Sequence, residues 1–417
     1  MRHAKAQLRA LDREIQNKQL DQAGFTELEK DRNKLLRNLA TIPYLDRKNV
    51  NPERVPGTCK WFENHPLFLD WRAGTGSPLL WVSALPGAGK SVLFKHLVDN
   101  VLPAPQRTNC YFFFKDIEDQ KSAIGALRCL LHQMFSQRPD LLRKAVLQRF
   151  ARDSQILQSF EGLWEIFLNT TRAINTGEIV CVIDALDECQ SSDRLPLLKR
   201  LAEWSNDPRT TLKIIVSSRL YKDIRQEFHE VQAQIHLSGE GDLVVKQISE
   251  EIDMVIAARL KIIAHRLGLS SPTQEALQQK LTSQTQRTYL WAYLVLDELE
   301  KALEFDKRSL QATIETLPST VEEAYDAILN RSGRPERVKK LLTLILAARN
   351  PLTLRQMAEV WALEADTQLG EQLEVMTESQ FTEMVTGLCG LFVVVSERKL
   401  FLLHQTASEF LLHHRNS

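Results

Sequence analysis

The stretch LLWVSALPGAGKS, residues 79–91, decides the fold of this chain. It begins as an apolar run of strand length and ends in a loop of small residues, after which a helical pattern starts. Small residues allow successive backbone N–H groups to turn toward a polyphosphate, and the N-terminus of a following helix favours anions. The sequence therefore predicts a phosphate-binding loop, whose backbone is shaped by Pro86, Gly87, Ala88 and Gly89.

The two residues that close this loop carry the expected chemistry. Lys90 places a positive charge where the β- and γ-phosphates of a nucleotide would lie, and Ser91 offers a hydroxyl to Mg²⁺. The loop departs from the pattern G-x-x-x-x-G-K-[ST] at its first position, where Ala84 replaces glycine. Because alanine has a Cβ, we expect it to be tolerated there only with a negative φ. The alternative interpretation is a Gly/Pro turn from strand to helix with an accidental lysine.

Length and composition are those of a globular protein with room for two to four domains. The chain has 417 residues, of which 43% are hydrophobic and 25% charged. Its 53 basic and 53 acidic residues balance, so there is no general attraction to nucleic acid or anionic lipid. The six cysteines form no CxxC pair, which indicates reduced thiols. With a polar N-terminus and no apolar run of membrane-spanning length, the sequence predicts a cytoplasmic protein without membrane contact.

Strand and helix patterns alternate from residue 79 to about residue 240. After the first strand, further apolar strands are predicted at 109–114, 178–184, 212–217 and 234–237. Segments with helical spacing separate them, which is typical of a parallel sheet reached by crossover connections. The strand predicted at 178–184 is continuously apolar between its terminal carboxylates, so we expect both of its faces to be covered.

The segments before and after this alternating region are predicted to be mainly helical. Residues 1–42 predict a helical hairpin, either a packing helix pair or a partner-binding element, and an extended linker follows at 43–58. Residues 241–334 predict helices only. Residues 335–417 predict three helices and then a strand hairpin around 396–398, which is a winged-helix pattern. The predicted domains are thus 1–56, 57–240, 241–334 and 335–417.

Three carboxylates follow the predicted third strand. Asp184, Asp187 and Glu188 lie within five residues, and their mutual repulsion at the end of an apolar strand indicates a nearby cation. We expect Asp184 to hold Mg²⁺, through water, and Glu188 to orient an attacking water with support from Asp187. The alternative is a solvated acidic loop at the start of the next helix.

Basic residues mark the ends of other strands at the same predicted edge. Arg219 follows the fourth strand, where its guanidinium suits a γ-phosphate, although a surface ion pair with Asp223 is the alternative. Lys115 follows the second strand. His404 follows the last strand of the hairpin and, on residue chemistry alone, is a histidine of the core.

At this point several segments resemble the NACHT domain of fungal NOD-like receptors, a nephrocystin-3-like N-terminal domain of the STAND class of P-loop NTPases. The segments that carry the resemblance are GTCKWF at 57–62, PGAGKS at 86–91, YFFFKD at 111–116, IDALDE at 183–188, SSR at 217–219, YLWA at 289–292, LPSTVEEAY at 317–325 and LHQTASEFL at 403–411. The resemblance covers residues 57–414 in order.

This resemblance implies a signalling switch that binds ATP or GTP with Mg²⁺, hydrolyses it slowly and opens to form homo-oligomers when the triphosphate is bound. By the same resemblance Lys90 and Ser91 bind phosphate and Mg²⁺, Asp184 binds the metal, Glu188 serves hydrolysis and Arg219 binds the γ-phosphate. His404 matches the histidine that holds the diphosphate form closed. Signalling of the fungal immunity or heterokaryon-incompatibility type is then expected, with an effector or sensor protein as partner.

Some features differ from the family pattern and leave alternatives open. Arg287 stands where related chains often have glycine, which affects contacts to the base, and no repeats follow in this chain, so a sensing part is absent or supplied by a partner. A scaffold that binds nucleotide without hydrolysing it, or a regulator of longer relatives, is therefore the alternative function. A winged-helix DNA-binding regulator ranks below it, because DNA recognition normally needs a basic surface.

Overall fold

The computed structural model describes residues 29–414, apart from 75–76, 116, 118–119, 143, 154, 173–176, 207–211, 238–242, 285–286, 306–316, 332–334, 349, 367–375 and 397. Its first half is built on a parallel five-stranded sheet in the order β2-β3-β4-β1-β5. The strands are β1 (Leu79–Ser83), β2 (Arg107–Phe113), β3 (Glu178–Asp184), β4 (Leu212–Ser218) and β5 (Ala233–His236). The predicted sheet is confirmed, with strand bounds that differ by at most two residues.

Helices lie on both faces of this sheet. Those that precede or connect the strands are α1 (residues 29–39), α2 (Tyr44–Asn49), α3 (Lys60–Glu63), α4 (Pro66–Ala73), α5 (Lys90–His96), α6 (Ala123–Gln137), α7 (Lys144–Arg152), α8 (Phe160–Thr171), α9 (Ser191–Ser205) and α10 (Lys222–Glu227). Alternate side chains of β1 enter opposite cores: Leu79 and Trp81 belong to one hydrophobic cluster, and Leu80 and Val82 to the other. The expectation that both faces of the sheet are covered is therefore confirmed.

The extended linker predicted at 43–58 is wrong for α2. Tyr44, at the start of α2, stacks edge-on against Tyr111 of β2 with ring centroids 5.7 Å apart. Lys48 forms an ion pair with Asp99, and both Arg47 and Lys48 are buried. Contacts with the sheet domain stabilise this single helical turn, whereas local pattern alone favours an extended chain because prolines flank it.

Two short helices, α3 and α4, lie between α2 and β1. α3 ends at Glu63, and α4 begins at Pro66 after His65, whose Nδ1 accepts a hydrogen bond from the backbone N–H of Leu67. Proline has a fixed φ and no N–H, so it fits the first position of a helix and disfavours the interior.

The described residues of the second half form helices and one strand hairpin. Its elements are α11 (Leu243–Leu267), α12 (Ser271–Thr282), α13 (Tyr289–Phe305), α14 (Val321–Arg331), α15 (Pro335–Ala347), α16 (Leu354–Asp366), α17 (Glu378–Cys389), β6 (Val393–Ser396), β7 (Lys399–Leu402) and α18 (Gln405–His414). β6 and β7 pair antiparallel, as predicted. A single hydrophobic core extends from Ile252 on α11 to Phe410 on α18. The assignment of 335–417 to the winged-helix class stays a prediction, as do the four domain boundaries.

Candidate functional site

The predicted site residues meet at the carboxyl edge of the sheet, because parallel strands end on the same side. β1 lies between β4 and β5, with Ser83 in register with Ser218, and β3 lies between β2 and β4. At the far side of this edge, Phe113 of β2 is in register with Asp184 of β3. The loop after β1 therefore faces the residues that follow β3 and β4.

The loop between β1 and α5 has the backbone expected of a phosphate-binding loop. Gly87 and Gly89 adopt φ values of +73° and +78°, a region in which side chains other than glycine are strained. α5 begins directly at Lys90, with Gly89 as its N-cap. The free N–H groups of this helix end consequently face the loop, where an anion is favoured.

Lys90 lies folded against the loop. Its Nζ donates hydrogen bonds to the carbonyl oxygens of Ala84 (3.2 Å) and Leu85 (3.3 Å). Burial lowers the pKa of Lys90 below its usual range, and the nearby carboxylates of Asp187 and Asp184 oppose that effect. A partly desolvated cation held by carbonyl dipoles is suited to a polyanion that enters the loop.

Ala84 takes the place of the first glycine without strain. Its φ is not positive, its side chain is buried, and its backbone N–H donates to the carbonyl of Ser218 at 3.2 Å. Ala84 thus extends the ladder between β1 and β4 by one residue. The expected condition for an alanine at this position, a negative φ, is fulfilled.

The start of α13 covers the outer side of the loop. The backbone N–H of Leu290 donates to the carbonyl of Gly87 at 3.2 Å. A Cβ added to Gly87 would lie 2.8 Å from the Cβ of Leu290, and one added to Gly89 would lie 2.9 Å from the ring of Tyr289. Glycine is therefore required at both positions for two reasons: the positive φ and the close packing against the start of α13.

Glu251 of α11 connects this cover to the segment before the sheet. Its buried carboxylate accepts from the backbone N–H groups of Cys59 (2.7 Å) and Lys60 (3.1 Å), and from the hydroxyl of Tyr289 (3.0 Å). Sequence analysis did not single out Glu251, because its partners are far away in the chain. Arg287, the departure noted before α13, forms an ion pair with Asp253.

Asp184 and Ser91 come together beside the loop. The carboxylate of Asp184 accepts from the hydroxyl of Ser217 at 2.5 Å and also interacts with the hydroxyl of Ser91. Burial raises the pKa of Asp184 above its usual range, whereas these two hydrogen bonds act in the opposite direction. Ala185 then adopts a left-handed φ of +53°, and its N–H donates to Ser217. The chain turns sharply here, which separates Asp184 from the next carboxylates.

Asp187 holds Arg219. Its Oδ1 accepts from the backbone N–H of Arg219 at 3.0 Å, and its Oδ2 lies 3.4 Å from the Arg219 Nε. Asp223, the alternative partner suggested by the sequence, pairs with Arg194 instead, at 2.8 Å. Asp187, in the loop after β3, thus orients Arg219, and Arg219 does not form the alternative surface ion pair with Asp223.

Glu188 lies at the more open end of the acidic segment. Its side chain is half-buried, and it influences the pKa values of both Lys90 and Lys115. Burial lowers the pKa of Lys115, and the charge of Glu188 opposes this effect. The neighbouring Asp116 and Asp119 lie outside the described residues.

His404 reaches the same edge from the C-terminal half. Its Nδ1 accepts from the backbone N–H of Thr406 at 3.2 Å, so the neutral ring carries its proton on Nε2. Thr406 is itself 3.0 Å from the hydroxyl of the buried Tyr325. Burial, together with the charges of Arg219, Lys90 and Lys115, lowers the pKa of His404 to about 3. His404 is therefore close to the cations of the site, and it is uncharged near neutral pH.

Glu409 is a second residue beside the site, after Glu251, that sequence analysis did not single out. Its Oε1 accepts from the Nη1 of Arg219 at 2.7 Å. Burial acts to lower the pKa of Arg219, but Glu409 and other acidic neighbours outweigh it and raise that pKa. The position of Glu409 within the segment 403–411, one turn after His404, was the available signal.

The described residues offer no group of three or more His, Cys, Asp or Glu side chains that could hold a metal ion by themselves. The hydroxyl of Ser91 beside the carboxylate of Asp184 is a different kind of donor set. It fits Mg²⁺, which is commonly held by one or two protein oxygens together with phosphates and water.

All six cysteines are free and buried, as expected for reduced thiols. Among the helices described, none has the length and apolar character to cross a membrane.

Comparison with known proteins gives the following matches. Residues 57–219 match the family model described as "Nephrocystin 3, N-terminal", and residues 248–317 match a domain of unknown function, DUF7069. The chain is 27% identical over 386 residues to "Vegetative incompatibility protein HET-E-1" of Podospora anserina. That match covers 89% of this chain but only 27% of HET-E-1. The resemblance stated from the sequence motifs is thereby confirmed.

Two solved structures show a distant likeness. One is a Walker-type ATPase of Pyrococcus abyssi, with 13% identity and a TM-score of 0.38, covering 82% of this chain and 93% of that one. The other is a signal transduction ATPase with numerous domains and a tetratricopeptide repeat sensor, from Pyrococcus horikoshii. It has 14% identity and a TM-score of 0.48, covering 87% of this chain and 43% of that one.

Proposed function

We propose that the chain is a nucleotide-operated signalling switch, on the premise that residues 57–219 match the family model described as "Nephrocystin 3, N-terminal". It binds ATP or GTP with Mg²⁺ at the loop 84–91 and hydrolyses it slowly. The observation that carries the proposal is the arrangement of one loop lysine, one Ser–Asp pair and one oriented arginine at a single sheet edge. The function of HET-E-1 in vegetative incompatibility supports signalling of that type.

Each site residue has a role in this proposal that follows from its surroundings. The loop N–H groups and Lys90 bind the β- and γ-phosphates, and Ser91 and Asp184 are the residues that would hold Mg²⁺. Bound Mg²⁺ neutralises charge that develops on the phosphates. Arg219, fixed by Asp187, binds the γ-phosphate.

Hydrolysis needs a group that can orient water. Glu188 is the half-buried carboxylate at the open end of the acidic segment, which gives it access to solvent that the buried Asp184 and Asp187 lack. Asp187 supports it indirectly, because it is engaged with Arg219. We therefore assign the water-orienting role to Glu188.

The C-terminal half supplies the closed form of the switch. His404 lies near the cations of the site with a neutral ring whose proton is on Nε2, and this donor suits the terminal phosphate of a diphosphate. Release of His404 and Glu409 on triphosphate binding then exposes surfaces for homo-oligomers or for an effector or sensor partner.

A titration calorimetry experiment with ATP, GTP, ADP and GDP in the presence of Mg²⁺ tests this function. We expect one of the purine pairs to bind and Lys90→Ala to weaken that binding at least about 100-fold, since a charge-assisted contact is lost. Lys199→Ala, which removes an exposed lysine of α9, is the matched control. Failure of all four nucleotides to bind contradicts the proposal.

Turnover separates the switch from a scaffold that only holds nucleotide. We expect slow multiple turnover that Glu188→Gln reduces about 100-fold or more, with binding retained. Binding without any turnover would favour the scaffold. A DNA-binding role gains no support from α16, where Arg355 pairs with Glu359 at 2.9 Å and Gln356 accepts from Thr353.

A further inference from the structure

Phe401 of β7 lies between two cations that belong to the first half of the chain. The guanidinium carbon of Arg47 is 5.3 Å from the centre of its ring, and the Nζ of Lys115 is 5.4 Å from it. Phe401 is buried, with 5% of its surface exposed. Both distances are within the range of an attractive cation–π interaction, which strengthens when water is excluded.

The two cations come from different elements. Arg47 belongs to α2 and Lys115 follows β2, and both elements are tied to each other through the edge-on contact of Tyr44 with Tyr111. The hydroxyl of Tyr44 also lies 3.2 Å from Nδ1 of His132 on α6. The hairpin therefore docks on a surface that α2 and the sheet domain build jointly.

Lys115 connects this surface to the candidate site. Its charge interacts with Glu188, the proposed water-orienting residue, and also with His404, which follows the same hairpin. One aromatic side chain thus contacts both the helix that precedes the NTPase domain and the lysine next to the acidic segment.

We propose that Phe401 couples the position of the C-terminal half to helix α2, so that α2 is part of the regulated surface of the switch. When the hairpin leaves, Arg47 and Lys115 both lose the aromatic face of Phe401. The inference rests on the proposed function only for its nucleotide dependence, because the contact of Phe401 with Arg47 and Lys115 belongs to the fold itself.

Hydrogen exchange of the nucleotide-free full chain, followed by mass spectrometry over residues 393–402, tests the coupling. Arg47→Gln removes a cation on α2, and we expect the hairpin amides to exchange about fivefold faster, although the substitution lies far away in the chain. Arg47→Lys keeps the cation and should stay within about twofold of the parent. Lys60→Gln removes an exposed cation elsewhere and should leave the hairpin unchanged.

Phe401→Leu provides the second arm, because it removes the ring but keeps an apolar side chain. We expect Arg47→Gln to add nothing further to the exchange of the Phe401→Leu protein, since both substitutions break the same contact. Phe392→Leu, which removes a buried ring that packs on Tyr325 within the C-terminal half, is the control in which the Arg47→Gln effect should persist.

The inference is overturned if Arg47→Gln leaves hairpin exchange at the parental rate, or if its effect is as large in the presence of Phe401→Leu as without it. These measurements need no nucleotide. A chain that shows the coupling but binds no purine nucleotide would overturn the proposed function alone, and a chain that binds nucleotide without the coupling would overturn this inference alone.

Discussion

The guanidinium of Arg219, at the end of β4, donates a hydrogen bond of 2.7 Å to the carboxylate of Glu409 on α18. In the proposed function the same guanidinium binds the γ-phosphate. A carboxylate and a phosphate are both anions that accept from arginine, so they compete for it. The competition gives a physical reason why a triphosphate, but not a diphosphate, would release the C-terminal helix.

Replacement of Glu409 by glutamine should therefore change nucleotide preference. Glu409→Gln removes the competing charge, and we expect triphosphate affinity to rise about two- to fivefold, because the pair is partly exposed and contributes up to about 1 kcal/mol. Diphosphate affinity should change less, since a diphosphate has no γ-phosphate. Titration calorimetry measures both. Glu359→Gln, which breaks the exposed pair with Arg355, is the control, and an equal change for both nucleotides would speak against the competition.

The histidine at the site gives a prediction about pH. The pKa of His404 is about 3, mainly because of burial and secondarily because of Arg219, Lys90 and Lys115. An unfolded histidine titrates near 6.5, so the unfolded chain takes up a proton that the folded chain does not. The stability linked to His404 is thus fully present above pH ~6.5 and declines as the pH falls toward 3.

Urea unfolding at several pH values between 7.5 and 5 measures this loss. We expect the unfolding midpoint of the parent to fall more steeply toward pH 5 than that of His404→Gln, which cannot be protonated there. His65, His132 and His236 also have lowered pKa values, but they are present in both proteins and cancel in the comparison. Parallel pH profiles for the two proteins would show that His404 is not held neutral by its surroundings.

Positions 84 and 89 of the loop should differ sharply in their tolerance of substitution. Because Ala84 does not adopt a positive φ, Ala84→Gly should leave nucleotide affinity within about twofold and cost up to about 1 kcal/mol of stability through the added freedom of the unfolded chain. Gly89→Ala places a Cβ at a φ of +78° and 2.9 Å from the ring of Tyr289, so it should reduce affinity about tenfold or more. Equal affinities for these two variants would contradict the geometry described for the loop.

Most of the sheet could be predicted from the local sequence pattern. An apolar run of strand length is a signal within the local sequence and can be recognised without knowing which segments will cover it, so β3 was predicted at residues 178–184 as observed. The loop was predictable for the same reason, because the glycines and Lys90 are adjacent in the chain. The edge at which Asp184 and Arg219 meet followed from the parallel order.

Contacts between distant segments were not predictable. Glu409 is 190 residues from Arg219, and Glu251 is 192 residues from Cys59, so no spacing pattern relates them. α2 was missed because its one helical turn depends on Tyr111 and Asp99, which lie in other elements. Long-range pairing of side chains, rather than local propensity, determines these parts of the molecule.

In the proposed switch, the triphosphate releases the C-terminal half from the sheet edge. Hydrogen exchange over residues 405–414 of α18, compared with Mg²⁺-diphosphate and with a non-hydrolysable Mg²⁺-triphosphate of the base that binds, tests it most directly. We predict at least about fivefold faster exchange with the triphosphate and no such difference in Lys90→Ala. Equal exchange of α18 in the two nucleotide states, with both nucleotides shown to be bound, would contradict the account.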